Sequence, residues 1–299
     1  MLGNLTTETR NARTTDLDGL STAELLQIMN EEDARAVEAV NRELPAIAEA
    51  IEAIVKVRLS GGRLIYMGAG TSGRIGLLDA VECPPTFGTE PSEIVGLIAG
   101  GEKAFIKAVE GAEDSRELGV QDLHGISFGP GDILVGIAAS GRTPYVIGGL
   151  EYANSLGAET IALACNKGSE IGKHANIAIE VEVGPEVLTG STRLKSGTAQ
   201  KLVCNMLSTA SMVKTGKVYG NLMVDVQTTN EKLVERAKRI IMAATDCTFD
   251  EAGKFYQLSG KKPKVAIVMI LTGATHEEAT ANLQESGGFI RQAISKKSK

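Results

Sequence analysis

This sequence of 299 residues contains no tryptophan, only 4% aromatic residues, three histidines and four cysteines. The cysteines are widely spaced and form no C-x-x-C pair, which argues against a disulfide framework and against a cysteine-ligated zinc ion. The histidines likewise lack the spacing of metal ligands, so the sequence predicts no metal site. Separated thiols of this kind are typical of a reducing compartment, and we expect the chain to be cytoplasmic.

Long hydrophobic runs and an excess of basic residues are also missing. No apolar run approaches the roughly 18 residues that a membrane-spanning helix requires, and the polar first residues do not resemble a signal peptide. The net charge of −6 offers no basic surface for nucleic acid. The apolar fraction of 43% nevertheless suffices for a buried core. We therefore expect a globular protein that binds neither membranes nor nucleic acid.

Short apolar runs alternate with helical patterns between residue 61 and about residue 215. The strand candidates are 63–67, 93–98, 132–138, 160–164 and 177–183, and the helix candidates are 74–82, 102–110, 143–156 and 195–214. Such alternation predicts an α/β fold, with a parallel sheet covered by helices on both faces. Ligands of these sheets bind beyond the carboxyl ends of the strands, where the loops at 68–73, 99–101 and 139–143 should gather.

The segment before this region is polar at first and then helical. Residues 1–20 lack periodicity and predict an extended arm, which we expect to lie across a partner subunit. Ser21 opens a capping-box pattern before a short helix. Asn30 is predicted to cap a longer helix over 31–59, which Pro45 should interrupt.

The segment after about residue 221 reads as a small helical subdomain. Asn230 is predicted to start a helix that ends near residue 244. Capping-box patterns at Thr248 and Thr275 predict helices near 249–258 and 276–283. The sequence thus divides into an N-terminal arm with helices (1–59), a central domain (60–217) and a C-terminal helical subdomain (218–299).

The most informative stretch is Gly61 to Thr86. A short apolar strand leads into a glycine loop in which Gly70, Thr71 and Ser72 stand before a predicted helix that starts near Arg74. Free N–H groups and hydroxyls at a helix start form a ready anion site. Glu82 lies about two turns further on, just before a double proline that should end the helix.

The glycines of this loop also match a dinucleotide fingerprint, Gly68-x-Gly-x-x-Gly73. That fingerprint needs an acidic residue at the end of the second strand to hold the ribose. Here the second strand ends in Ala99-Gly100-Gly101, so a dinucleotide is disfavoured and no cofactor is expected.

A second loop after another apolar strand repeats the pattern. Ser140, Gly141 and Thr143 deliver hydroxyls and a glycine to a helix start, where Pro144 suits the first turn. Ordinary N-capping by Ser72 and Ser140 is the alternative explanation. Two hydroxyl-rich loops at one sheet edge favour binding of a phosphorylated sugar.

These loops resemble those of the sugar isomerase (SIS) domain family, and the resemblance is closer still to N-acetylmuramic acid 6-phosphate etherases. The resembling stretches span most of the chain in order, and they are LTTETRN (Leu5 to Asn11), GAGTSGRIGLLDAVECPPTFG (Gly68 to Gly88), GLIAGGEKAFIKAVEGAEDS (Gly96 to Ser115), AASGRTPYV (Ala138 to Val146) and TGSTRLKSGTAQK (Thr189 to Lys201).

The resemblance implies a three-layer, flavodoxin-like α/β SIS domain with flanking helices, working as a homodimer. It implies release of D-lactate from N-acetylmuramic acid 6-phosphate in cell-wall sugar recycling. The family's catalytic glutamates match Glu82 and Glu113. Glu82 near a helix C-terminus would feel negative dipole potential that favours its protonated form, so we assign it as the acid and Glu113 as the base.

Other interpretations of the function remain open at this point. A sugar-phosphate sensor like the glucokinase regulatory protein would bind phosphosugars without turning them over, and a phosphosugar isomerase shares the fold. A transcriptional regulator of this family would need a basic domain in front, and residues 1–60 are not basic enough. Arg193 and Lys195 could either meet the substrate or lie on the surface at a helix start.

Overall fold

The computed structural model describes residues 5–107, 109–228 and 230–295. Its strands are β1 (Leu64–Gly68), β2 (Ile94–Ile98), β3 (Ile133–Ala138), β4 (Glu159–Ala164) and β5 (Ile177–Glu180). Its α-helices are α1 (Thr22–Arg42), α2 (Leu44–Leu59), α3 (Gly70–Phe87), α4 (Lys103–Ile106), α5 (Arg116–Gly125), α6 (Pro144–Ser155), α7 (Glu170–Lys173), α8 (Lys195–Lys214), α9 (Glu231–Thr245), α10 (Phe249–Leu258), α11 (Pro263–Thr272), α12 (His276–Glu285) and α13 (Ile290–Ser295).

The chain forms two compact units by its contacts. One consists of residues 5–81 and 92–208 and contains the sheet, and the other consists of residues 82–91 and 209–295. No helix in the described ranges has the length and apolar character needed to cross a membrane.

The five strands of the first unit form one parallel sheet in the order β2-β1-β3-β4-β5. All five strand predictions are confirmed to within a few residues. This is the flavodoxin-like strand order, in which the direction of strand addition across the sheet reverses between β1 and β3. The predicted fold class is therefore confirmed.

Helices cover both faces of the sheet. On one face, Met67 and Leu134 pack into a buried cluster with residues of α5 and α6. On the other face, Tyr66 donates a hydrogen bond from its hydroxyl to the carbonyl of Cys204 in α8, at 3.3 Å. Gly76 of α3 also lies there, because a Cβ at that position would come within 2.8 Å of the Tyr66 Cβ. Strands buried on both faces explain the continuous apolar runs in the sequence.

The N-terminal helices differ from the prediction in one respect. The capping box at Ser21 is confirmed, and Pro45 falls in the first turn of α2, so the predicted interruption is also confirmed. Asn30, however, lies inside α1 and caps nothing. An asparagine in a helix interior costs less than about 1 kcal/mol, and the buried contacts of Glu32 hold α1 in place across this point.

Helix α3 starts earlier and ends later than predicted. Gly70 has a positive φ of 51°, which lets the chain pass from β1 directly into the helix ahead of Arg74. The predicted stop at Pro84 and Pro85 is wrong, because the helix continues to Phe87. Proline φ is compatible with a helix, but each proline removes a backbone hydrogen bond and crowds the carbonyl of residue i−4, at a cost of about 3 kcal/mol. Packing must therefore outweigh this cost in α3. Gly88 then ends the helix with a positive φ of 61°.

Two further elements are shorter than predicted. The predicted helix 102–110 ends at Ile106, and the following Lys107 is extended; Ala108 lies outside the described residues. Val109 packs so closely on Gly100 that a Cβ there would lie 2.8 Å from the valine Cβ. β5 ends at Glu180, not residue 183, because β4 offers no further paired residues beyond Ala164.

The second unit is helical, as predicted. Asn230 caps α9 by accepting a hydrogen bond from the Leu233 backbone, and the capping boxes at Thr248 and Thr275 are both present. The apolar helix α11 supplies much of the buried core, in which α9, α10, α12 and α13 also take part.

Candidate active site

The two hydroxyl-bearing loops follow adjacent strands. β1 and β3 pair directly, with Gly68 opposite Ile137, so residues 69–72 and 139–143 leave the same edge side by side. This edge is where the strand order reverses, the place at which open α/β sheets bind their ligands. The predicted gathering of the loops is therefore present in the fold.

In the first loop, glycines set the backbone and Ser72 makes a specific contact. A Cβ on Gly73 would lie 2.7 Å from the Gly68 carbonyl oxygen, so only glycine lets α3 approach β1 this closely. Around Gly70 there is open space. Thr71 is half-buried, whereas Ser72 is buried and donates from its hydroxyl to Oε1 of Gln200 at 3.0 Å. Ser72 therefore contacts a neighbouring helix, which simple N-capping does not explain.

In the second loop, Gly141 has a positive φ of 73°, and a Cβ there would come within 2.5 Å of the Ser169 Cβ. Thr143 is the N-cap residue of α6 but makes no side-chain capping hydrogen bond. Ser140 and Thr143 are both half-buried. The loop therefore has a fixed backbone, and the Thr143 hydroxyl is not consumed by capping.

Asn166, just after β4, holds the second loop in place. Its amide donates to the carbonyls of Ala139 and Ser140 at 3.2 and 3.4 Å, and to the Thr7 hydroxyl at 3.1 Å. Its oxygen accepts a hydrogen bond from the Thr6 hydroxyl at 2.9 Å. The sequence interpretation missed this residue, although a polar side chain directly after an apolar strand was the available signal.

These contacts also define the N-terminal arm. Thr7, Asn11 and Thr14 are buried against the same chain, and the Thr14 hydroxyl donates to the Val187 carbonyl at 2.9 Å. The arm therefore lies beside the second loop, at the sheet edge of the same subunit. The prediction that it lies across a partner subunit is not needed to explain its burial.

The two glutamates are exposed side chains. Glu113 lies in a 3₁₀ turn, Ala112–Asp114, that packs against α6. Glu82 lies on α3, more than one turn before its end at Phe87. Because the helix dipole acts within the last turn, the dipole argument for Glu82 as the acid no longer applies.

Lys195 is not a surface residue. It is 1% exposed, and its ammonium pairs at 2.5 Å with Glu32 of α1, which is equally buried. Burial alone would raise the pKa of Glu32, but hydrogen bonds from Lys195 and Arg13 lower it overall. The buried carboxylate of Glu186 caps the start of α8 by accepting from the backbone N–H groups of Lys195 and Ser196. Lys195 is therefore a structural residue.

No group of three or more histidine, cysteine, aspartate or glutamate residues in the described part of the chain could hold a metal ion. Cys165, directly after β4, is fully buried, and burial raises the pKa of its thiol to about 12. It therefore stays protonated at neutral pH and is no nucleophile.

Comparison with known proteins first identifies the domain family to which the first unit belongs. Residues 46–154 match the family described as the glucokinase regulatory protein N-terminal SIS domain, and residues 120–210 match the SIS domain family. A solved phosphoheptose isomerase from Neisseria gonorrhoeae is similar in fold, with a TM-score of 0.51 and 17% identity over 64% of this chain and 98% of that one. The first unit is thus an SIS domain.

Full-length relatives narrow the class to one family. The chain is 62% identical to N-acetylmuramic acid 6-phosphate etherase 2 of Lactiplantibacillus plantarum, over 98% of this chain and 99% of that protein. It is 61% identical to the protein of the same name from Enterococcus faecalis, over 98% and 99%, and 59% identical to the etherase of a Geobacillus species, over 98% and 100%. The chain belongs to the N-acetylmuramic acid 6-phosphate etherase family.

Proposed function

We propose that this protein cleaves the D-lactyl ether of N-acetylmuramic acid 6-phosphate with water, giving N-acetylglucosamine 6-phosphate and D-lactate in cell-wall sugar recycling. The observation that best supports this proposal is the pair of hydroxyl-bearing loops at the carboxyl ends of the adjacent strands β1 and β3. In a chain of the etherase family, this arrangement supports binding of the sugar phosphate at these loops.

The reaction follows from the chemistry of the ring-opened sugar. An ether resists direct attack by water, but in the open aldehyde the proton on carbon 2 is acidic. A base removes that proton, and the bond between carbon 3 and the lactyl oxygen breaks while an acid protonates the oxygen. Water then adds to the double bond, its oxygen at carbon 3 and a proton at carbon 2. Two carboxyl groups in opposite protonation states suffice for these steps.

We propose Glu82 and Glu113 as the catalytic pair that the matched motifs imply, with Glu82 as the acid and Glu113 as the base. For Glu113, support comes from its position on a turn that packs against α6, the helix at whose start Thr143 stands. For Glu82, support comes from its place in the matched motif alone. Exchange of the carbon-2 proton with heavy water is the measurement that separates the two roles.

The phosphate is assigned to Gly70, Thr71 and Ser72 in the first loop, and to Ser140, Gly141 and Thr143 in the second. A helix start offers N–H groups and partial positive charge, which favour an anion. Hydroxyl hydrogen bonds to a charged group contribute about 1.5–3 kcal/mol each. Anchoring the remote phosphate would fix carbons 2 and 3 beside the glutamates.

We also propose a homodimer. On the first unit, Arg74 of α3 donates to the carbonyls of Ala104 and Phe105, which seats α4 beside the start of α3. Apolar side chains are exposed on these two helices, namely Leu78, Val81, Phe105 and Ile106. Exposed apolar groups on neighbouring helices are typical of an interface.

The deciding experiment offers the phosphorylated muramic sugar and measures lactate. We expect wild type to release D-lactate from N-acetylmuramic acid 6-phosphate and hardly any from the unphosphorylated sugar. Thr143→Val should raise the KM for the phosphorylated sugar while kcat changes little, whereas Thr15→Val, at an exposed position of the arm, should resemble wild type.

Binding of the phosphorylated sugar without lactate release would instead support the regulator, the alternative that the match over residues 46–154 favours. Interconversion of an aldose phosphate and a ketose phosphate without lactate would support an isomerase. Either outcome would overturn the etherase proposal.

A further inference from the structure

Gln200 of α8 is a buried side chain that the reaction described above does not use. It is 1% exposed, and its carboxamide oxygen accepts the Ser72 hydroxyl at 3.0 Å. The nitrogen of the same carboxamide, Nε2, is buried and has no hydrogen-bond partner. Buried amide donors without a partner are rare, because they lose their bonds to water and gain nothing in return.

This carboxamide lies beside the first loop. One turn earlier on α8, Gly197 faces the same place, since a Cβ there would lie 3.6 Å from both the Thr71 Cγ2 and the Ile75 Cδ1. The start of α3 therefore combines free N–H groups, open space around Gly70, the Ser72 hydroxyl and an unpartnered amide donor. A donor without a partner next to the predicted phosphate loop indicates that the hydrogen bonds of this carboxamide change when a ligand binds.

We propose that Gln200 is a positioning residue that directs the Ser72 hydroxyl to the sugar phosphate. Without ligand, Ser72 donates its proton to Oε1 of Gln200. When phosphate binds, the carboxamide turns by half a rotation, which exchanges its oxygen and nitrogen without changing its volume. Nε2 then donates to the Ser72 oxygen, and Ser72 donates its proton to the phosphate.

The inventory of donors and acceptors permits this exchange. A serine hydroxyl has one proton and two lone pairs, so it can accept from Gln200 and donate to phosphate at the same time. Linked hydrogen bonds polarise each other, which strengthens the final bond to the charged group. After the turn, the unpartnered atom is a carbonyl oxygen, which proteins tolerate better than an unpartnered N–H. This inference rests on the proposed function, because the ligand is the phosphate of that substrate.

The test compares Gln200→Met, which removes the donor and keeps an unbranched side chain of similar length, with Gln200→Glu, whose carboxylate can only accept. The probes are inorganic phosphate, N-acetylglucosamine 6-phosphate and N-acetylglucosamine, each measured by calorimetry and by the rise in unfolding temperature that it causes. Gln121→Glu makes the same charge change at an exposed position of the first unit and serves as the control.

We expect both Gln200 variants to bind phosphate and the phosphorylated sugar at least ~10-fold more weakly, the scale of one hydrogen bond to a charged group. Binding of N-acetylglucosamine and kcat should stay within about twofold. Ser72→Ala should weaken phosphate binding similarly, and adding Gln200→Met to it should cause little further loss, because Gln200 acts through Ser72.

Two results would overturn the assignment. In the first, Gln200→Met and Gln200→Glu bind phosphate as tightly as wild type does. In the second, both variants bind N-acetylglucosamine 6-phosphate and N-acetylglucosamine more weakly by the same factor, which is expected if Gln200 only supports the fold. Failure of wild type to release lactate would overturn the proposed reaction alone, because the comparison with inorganic phosphate still decides the role of Gln200.

Discussion

Glu82 and Glu113 are exposed carboxyl groups whose replacement should affect chemistry and leave the fold intact. Glu82→Gln and Glu113→Gln remove a proton donor and a proton acceptor without changing side-chain size. Each should lower kcat by at least ~100-fold, the usual contribution of a general acid or base. The measurement is lactate release under saturating substrate, with unfolding curves to verify the fold.

Glu110→Gln is the matched control, because Glu110 is a similarly exposed glutamate near Glu113. Its activity should equal that of wild type. The Glu113 variant should also lose exchange of the carbon-2 proton in heavy water. Retained exchange would move the base elsewhere, and near-normal lactate release by either catalytic variant would remove that residue from the mechanism.

Helices α1 and α8 are joined by the buried pair of Glu32 and Lys195, so their connection should depend on both partners and on pH. Lys195→Met leaves Glu32 as a buried charge with weaker compensation. We expect a loss of roughly 3–5 kcal/mol in the free energy of unfolding. The double variant Glu32→Leu with Lys195→Met should recover much of this loss, as denaturant titration would reveal.

The pH dependence of this pair has a defined sign. The pKa of Glu32 is lowered in the folded protein, so the pair stabilises the fold above the unfolded value of about 4.3. That stabilisation should disappear as pH falls through the lower folded pKa. Urea unfolding of wild type and the double variant should therefore differ most above pH 5, and a difference that grows in acid would contradict this account.

The N-terminal arm and the second loop are joined by Asn166, so a change in the arm should reach the site. Thr7→Val removes the oxygen that accepts a hydrogen bond from the Asn166 amide at 3.1 Å. We expect the KM for the phosphorylated sugar to rise roughly 2–10-fold, the net value of one hydrogen bond, while kcat changes little. Thr15→Val, at an exposed position of the same arm, is the control. Equal effects of the two variants on steady-state kinetics would contradict the proposal that the arm affects the site through Asn166.

The whole protein should be a dimer in solution if the apolar surface of α3 and α4 is its interface. Ile106 is 91% exposed, and replacing it by glutamate would place a charge in that interface. Sedimentation velocity should show a dimer for wild type and a monomer for Ile106→Glu. Leu59→Glu, at a side chain that is 66% exposed, should remain a dimer. A monomeric wild type at assay concentration would refute the proposal.

The division into an N-terminal arm with helices (1–59), a central domain (60–217) and a C-terminal helical subdomain (218–299) remains a prediction. Residues 1–4 and 296–299 lie outside the described residues. Limited proteolysis would test it, because cleavage should concentrate near residues 59 and 217 if these are boundaries.

The sequence sufficed for features that depend on local chemistry. Continuous apolar runs predicted the five strands, because a sheet covered on both faces needs them. Capping boxes predicted the starts of α1, α10 and α12, because they satisfy backbone donors within a few residues. Glycine and hydroxyl residues after β1 and β3 predicted the loops for the same local reason.

Tertiary structure decided what depends on distant partners. Helix α3 passes two prolines, and α1 passes Asn30, because packing outweighs the local costs, which are about 3 kcal/mol for a proline and less than about 1 kcal/mol for an asparagine. Lys195 became a buried ion-pair partner only because α1 brings Glu32 to it. Asn166 and Gln200 gained their roles from Ser140 and Ser72, which lie 26 and 128 residues away in the chain. No local pattern encodes such contacts, because side chains so far apart in sequence meet only when the sheet and its helices assemble.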